Sequence, residues 1–290
     1  MRKTAASLLA SAVALLLLTS LPLAHAQEAG PTQSPTGSVL RSNLLVTWYG
    51  NPRTPLMGVL GQFSGDELAS GLRSQADEYA RLTGKTVLPA YHVIAVVAQG
   101  SAGTDGTWRR RESREMLDSM LQQARAAGFK LILDVQVARS TVQAEVEYIR
   151  PYLEQPDVYL ALDPEFDMWK GQEPGKQLGH MTADEVNSAI ALLDRIVREK
   201  GLPPKVLIVH QFALSMLPDK GKIGDSPVVD VVLDMDGFGE QALKLDSYRA
   251  VMHEPLEFAG IKLFYSHDSD LFSPQDVLKL DPTPSVVIYQ

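Results

Sequence analysis

The chain has 290 residues, 45% hydrophobic and 21% charged, with a formal net charge of -8 and no cysteine. This is enough apolar material for one large core, and the missing cysteines exclude disulfides, thiolate-held zinc and a thiol nucleophile. The acidic balance argues against nucleic acid or an anionic membrane surface as a partner.

In chain order, Arg2 and Lys3 precede an apolar run from Leu8 to Leu18, and small residues follow at Ala24 and Ala26 in an A-x-A arrangement. That is the pattern of an export signal cleaved near Ala26. The run is therefore read as removed, leaving no membrane span, and the mature protein as periplasmic, cell-envelope or extracellular. Residues 27–42, rich in Gln, Pro, Ser, Thr and Gly, read as a flexible lead-in. Residues 43–290 read as one domain.

From Asn43 onward, β-branched and aliphatic runs alternate with longer amphipathic stretches. Strands are predicted over residues 44–50, 90–98, 130–136, 158–165, 205–212, 229–237, 261–268 and 285–290. Near-continuous apolar runs suit a parallel sheet covered on both faces. Between them, Ser64 with Glu67 and Thr182 with Glu185 have capping-box spacing, and Gly84, Gly128 and Gly201 stand where helices stop. Strand and helix alternating eight times predicts an α/β fold, a (β/α)8 barrel with no helix after its last strand. A doubly wound open sheet is the alternative, but no GxGxxG or P-loop follows any strand. Arg109, Arg110 and Arg111 read as a solvated loop or helix start.

Connections after strands are long and those before strands are short, so a site is expected at the carboxyl ends of the strands. In VYLALDPEFDMW, residues 158–169, strand alternation puts Asp163 and Glu165 on one face with Tyr159 and Ala161. Asp234 and Asp236 repeat the device, and Asp268 ends the seventh strand. Crowded, partly buried carboxyl groups repel, and one held protonated near neutral pH suits general-acid catalysis. Tyr49, Asp134, His210, Gln211, Tyr265 and Tyr289 cluster at equivalent strand ends, and Trp48, Trp108 and Trp169 lie on the same side, where aromatic faces can stack on sugar rings. His92, on an apolar strand, reads as a core histidine with its hydrogen bonds satisfied.

With its D-x-E pair in ALDPEF ending the fourth strand, the chain resembles glycoside hydrolase barrels that place their acid/base carboxylate there, including chitinase-like and bacterial-lysozyme-like families. It departs from the first in having Leu160, Ala161 and Leu162 before Asp163, and from the second in having Tyr49 and Gly50 at the end of the first strand. The resemblance implies a secreted hydrolase of a cell-wall or extracellular polysaccharide or oligosaccharide. Glu165 would be the acid, Asp163 would tune it, and Asp234, Asp236 or Asp268 would be nucleophile or base. Two alternatives stand beside it: a metal-dependent hydrolase using Asp134, Glu165, His210, Asp234, Asp236, His267 and Asp268, and a non-catalytic carbohydrate-binding barrel. No HxH, HExxH or EF-hand spacing occurs, and no metal or cofactor is expected.

Overall fold

The structure, a computed structural model, describes residues 37–290. The expected export signal and most of the expected lead-in lie outside the described residues. Nine strands form one sheet: β1 (Asn43–Gly50), β2 (Thr86–Ala98), β3 (Arg109–Arg111), β4 (Lys130–Val135), β5 (Val158–Leu162), β6 (Lys205–Gln211), β7 (Val229–Met235), β8 (Phe258–Leu263) and β9 (Val286–Tyr289). All pairings are parallel except that of β3 with β2, and β1 pairs with both β2 and β9. The eight parallel strands therefore close into a barrel, as the alternating pattern predicts.

The helices α1 (Gly65–Thr83), α2 (Arg114–Ala127), α3 (Val142–Leu153), α4 (Ala183–Lys200) and α5 (Gln241–Met252) cover it, with a single turn, α6 (Pro274–Val277), before β9. On α1, Leu68, Leu72, Ala76 and Tyr79 fall on one stripe and are buried. Each side chain of leucine size buried in this way contributes about 1.5–3 kcal/mol. Gly84, Gly128 and Gly201 end α1, α2 and α4 in left-handed conformations, as expected. The Thr182–Glu185 capping box is complete, whereas Ser64 makes no side-chain cap bond.

Three expectations need correction. Residues 212–228, between β6 and β7, hold two 3-10 turns and no α-helix, because Pro218, Gly221, Gly224 and Pro227 interrupt any helical run. The arginine triplet is a short edge strand in which Arg109 and Arg111 pair with the buried Glu145 and Arg110 pairs with the buried Glu112. The seventh barrel strand starts three residues earlier than expected and stops at Leu263, so Tyr265, His267 and Asp268 belong to the turn after it.

Inside the barrel, Leu45, Ile132, Val206, Ile208, Val232, Val286 and Ile288 form an apolar filling. The lead-in closes the amino-terminal end: Leu40 joins that filling, and its amide donates to Asp230 Oδ2 at 2.8 Å. Towards the carboxyl ends the interior turns polar, with Thr47, His92, Asp134, His210 and Asp234 all buried.

Candidate active site

The acidic stretch after β5 is built as a turn, not as strand. β5 ends at Leu162, the Asp163 amide donates to the Val135 carbonyl at 3.2 Å, and Pro164–Phe166 form one 3-10 turn. Proline cannot continue the ladder, so the chain leaves the sheet there. The long connection to α4 returns to clamp the turn: Gly179 donates to the Glu165 carbonyl at 2.7 Å and His180 to the Asp167 carbonyl at 3.1 Å. A Cβ on Gly179 would stand 2.5 Å from the Asp167 carbonyl oxygen and 2.7 Å from that of Glu165, so only glycine permits this approach.

Asp163, Glu165 and Asp236 share one cleft of about 580 Å³ at the carboxyl end of the barrel, with Tyr49, Gln136, Lys262 and His267. Its apolar wall comes from Leu56, Met57, Phe166, Phe212, Phe238 and Phe264. Gln136 donates through Nε2 to Asp163 Oδ2 at 3.1 Å and accepts the Ala98 amide at 3.0 Å, which fixes the carboxyl on the cleft floor. The Lys262 ammonium sits 3.6 Å from the centroid of the Tyr49 ring and is the one lysine of the cleft.

The electrostatics separate these acids. Burial, and then the charge of Asp236, lift Glu165 to about 7, against the pull of Lys262 and His210. Burial, then the neighbouring Glu165 and Asp134, hold Asp163 well above the usual carboxylate range. Asp236 is raised by burial, while His210 and Lys262 oppose the rise. Deeper in the barrel, Asp134 would be raised by burial, but the His210 and His92 rings bring it down to about 2. Glu165 is only half-buried, so it is an acid the cleft can reach.

Of the expected catalytic residues, Asp163, Glu165 and Asp236 line the cleft. Asp234 does not: its Oδ2 accepts His210 Nδ1 at 2.9 Å inside the barrel, and Asp134 and His210 lie in the same buried layer. Asp268 is also elsewhere. It takes bonds from Lys244 Nζ at 2.8 Å, the Phe264 amide at 2.8 Å and the Gly239 amide at 2.9 Å, which tie the turn after β8 to α5 and leave it unsuited to be nucleophile or base. His92 is not a satisfied core histidine, since neither ring nitrogen has a hydrogen-bond partner among the described residues.

Of the expected sugar-contacting residues, only Tyr49 lines the cleft. Trp48 faces α1 and donates to Gln75 Oε1 at 2.6 Å, Trp108 lies against the Arg139 guanidinium, and Trp169 stacks on His180 with centroids 4.5 Å apart. Gln211 bonds the Ala213 and Leu214 carbonyls, Tyr289 bonds Tyr79, and Tyr265 stacks on Tyr289 and bonds Gln75. Each of Trp48, Gln211, Tyr265 and Tyr289 sits one residue out of phase with the inward positions. Gln290, in phase beside Tyr289, lines the cleft; the lining residues that escape the sequence reading are Lys262 and Phe264, with Phe166, Phe212 and Phe238 just past their strands. Strand parity counted from Ala161 and its equivalents picks out Lys262 and Phe264.

No protein-family model and no curated protein matches the chain. Solved structures similar to it include a ruminal GH26 endo-β-1,4-mannanase, at 9% identity over 86% of this chain and 59% of that one, with a TM-score of 0.40. A hyperthermophilic endo-β-1,4-glucanase is similar at 8% identity over 86% of this chain and 89% of that one, TM-score 0.40. A β-mannanase from a symbiotic protist of the termite Reticulitermes speratus is similar at 11% identity over 85% and 69%, TM-score 0.32. The chain thus spans under two thirds of the first mannanase. Likeness at this level extends to neither substrate nor catalytic residues.

Proposed function

We propose that the protein is an exported glycoside hydrolase acting on a polysaccharide or oligosaccharide, with Glu165 as the general acid. The observation that carries this reading is that Glu165 and Asp236 line one cleft, with Glu165 half-exposed to it and kept protonated up to about pH 7 by burial and by Asp236. Glu165 gives its proton to the glycosidic oxygen as the C–O bond breaks. Asp236, whose carboxyl is raised by burial but pulled back by His210 and Lys262, serves the sugar carbon or the attacking water as nucleophile or base once ionised. Asp163 on the floor, its carboxyl pushed well up by burial and by its acidic neighbours, disfavours a second negative charge beside Glu165. The phenylalanine and leucine wall suits the apolar faces of sugar rings. The basic, apolar and small-residue pattern of residues 2–26 supports action outside the cytoplasm.

The test is a polysaccharide panel with reducing-end release as the readout, wild type beside Glu165→Gln. Release by wild type, with turnover lost and binding kept in the variant, is the expected result. Equal turnover by both overturns the assignment, and equal binding with no product from either points to a non-catalytic binding barrel.

A further inference from the structure

Beneath the cleft floor the barrel holds three side chains whose polar atoms face one another without hydrogen bonds. His92 on β2, Asp134 on β4 and His210 on β6 are each 0% exposed. Both ring nitrogens of His92, both oxygens of Asp134 and Nε2 of His210 have no hydrogen-bond partner among the described residues. Buried polar groups left in that condition are costly and call for an explanation.

The spacing supplies one. Asp134 Oδ2 lies 3.7 Å from His92 Nε2 and 3.5 Å from His210 Nε2. N–H···O hydrogen bonds cluster within ~2.7–3.2 Å, and neither of these longer contacts is made as one. Ligands about 2.05 Å from a tetrahedral zinc ion stand roughly 3.3 Å from one another, which is close to both separations. One donor atom from each of the three residues lies within 4.8 Å of the other two.

We propose that His92, Asp134 and His210 form a buried binding site for a divalent transition-metal ion, zinc by the nature of its donors, in the barrel interior below the cleft. Two imidazoles with one carboxylate suit zinc and its neighbours, whereas magnesium and calcium take oxygen ligands. The surroundings fit the same reading. His210 gives its other nitrogen, Nδ1, to Asp234 Oδ2 at 2.9 Å, the carboxylate support that fixes a metal-bound histidine's tautomer and leaves its Nε2 lone pair free to bind. Ala161 pairs with Asp134 across β4 and β5, and its small side chain does not keep Asp134 and His210 apart, whose Oδ2 and Nε2 approach to 3.5 Å.

Charge balance points the same way. Apart from the two raised acids Asp163 and Glu165, Asp134, Asp234 and Asp236 face the interior or the cleft, and Lys262 is the ammonium set against them. A dication offsets part of that surplus. The competing arrangement puts a proton on His210 between Asp134 and Asp234; it leaves His92 with neither nitrogen satisfied, whereas a metal engages one of them. Because all three ligands are fully buried, the ion holds three strand ends together and does not touch a ligand in the cleft. The inference therefore does not depend on what the cleft hydrolyses.

The experiment strips the full mature protein with a chelator and titrates it with Co2+ alone, followed by Zn2+. The expected result is the visible ligand-field absorption of tetrahedral cobalt, saturating at about one equivalent per chain, erased by Zn2+ and accompanied by a rise in Tm. Asp234→Asn keeps the band but weakens affinity by about 10–100-fold. His92→Ala and His210→Ala lose the band. Glu165→Gln keeps it, and it does so whether or not any glycan is cleaved. Wild type giving neither a cobalt band nor a zinc-dependent Tm rise overturns the proposal regardless of how the histidine variants fold. A band abolished by Glu165→Gln also overturns it, because the ion then sits among the cleft carboxylates.

Discussion

Gly179 and Glu165 are joined by a 2.7 Å bond from the glycine amide to the glutamate carbonyl, at an approach that leaves no room for a Cβ. The long connection before α4 therefore acts as a brace for the turn that carries the proposed acid. In Gly179→Ala the methyl group would overlap the Asp167 and Glu165 carbonyls, so the brace must lift. We expect a loss of about 1–3 kcal/mol in denaturant stability, typical of overpacking. Turnover should fall by at least about tenfold, as misplaced catalytic groups do. Full activity at unchanged stability would show that the turn does not need its brace.

The lifted titration of Glu165 sets a pH profile. The protonated form donates, so kcat/KM should decline as pH rises through about 7 and hold below it until the partner carboxylate protonates. The groups that face Glu165 are Asp163 on its own turn, Asp236 after β7, Lys262 on β8, and His210 and Asp134 from the barrel interior. Removing the like charge that opposes its ionisation, with Asp236→Asn, should shift carboxyl titration of Glu165, read by 13C NMR, to lower pH. An unmoved titration would mean that burial alone sets it.

Asp167 gives a prediction about stability. Burial, and then Glu185, raise its carboxyl to about 8 in the folded chain, while an unfolded aspartate titrates near ~3.9. Folding therefore binds a proton between those two values. The contribution is complete below about pH 4 and is lost as pH climbs to about 8. In Asp167→Asn, which keeps the neutral shape, the decline in Tm between pH 6 and pH 9 should be shallower than in wild type. Parallel declines would count against a protonated Asp167.

The wall of the cleft predicts which aromatics matter. Phe238 is 66% exposed and lines the cleft, whereas Trp169 is 50% exposed on the neighbouring loop and does not. Phe238→Ala should raise KM by about 5–30-fold, the worth of one aromatic contact of ~1–2 kcal/mol, and Trp169→Ala should leave KM within about twofold. The reverse pattern would move the binding surface to the Trp169 loop.

Much of this fold was legible. Eight apolar runs with short returns and long outward loops mark the barrel and the end that holds the cleft, because parallel strands buried on both faces leave that trace. The inward pair of acids was legible too, marked by the small Ala161, although the stretch that carries Glu165 is a turn and not the strand end expected. What failed was parity and punctuation. Trp48, Gln211, Tyr265 and Tyr289 are chemically suited to sugar binding, but each stands next to an inward residue and so packs on helices or loops. Gly260 reads as a break before a strand, yet it lies inside β8: a Cβ there would come 2.7 Å from Asp234 Oδ1, so the glycine is required by a neighbour that no local pattern reveals. His92 reads as a satisfied core histidine for a related reason. Its apolar flanks are real, but its partners come from strands 42 and 118 residues further along the chain, at Asp134 and His210.

The most direct test of Glu165 as the acid compares wild type and Glu165→Gln on two glycosides of the sugar that the panel identifies. One carries a poor alkoxide leaving group, and the other a dinitrophenolate that departs without protonation. The variant should lose about 10²–10⁴-fold in kcat/KM on the first, the usual worth of general-acid help, and less than about tenfold on the second. Equal losses on both substrates, or none on either, would contradict the assignment.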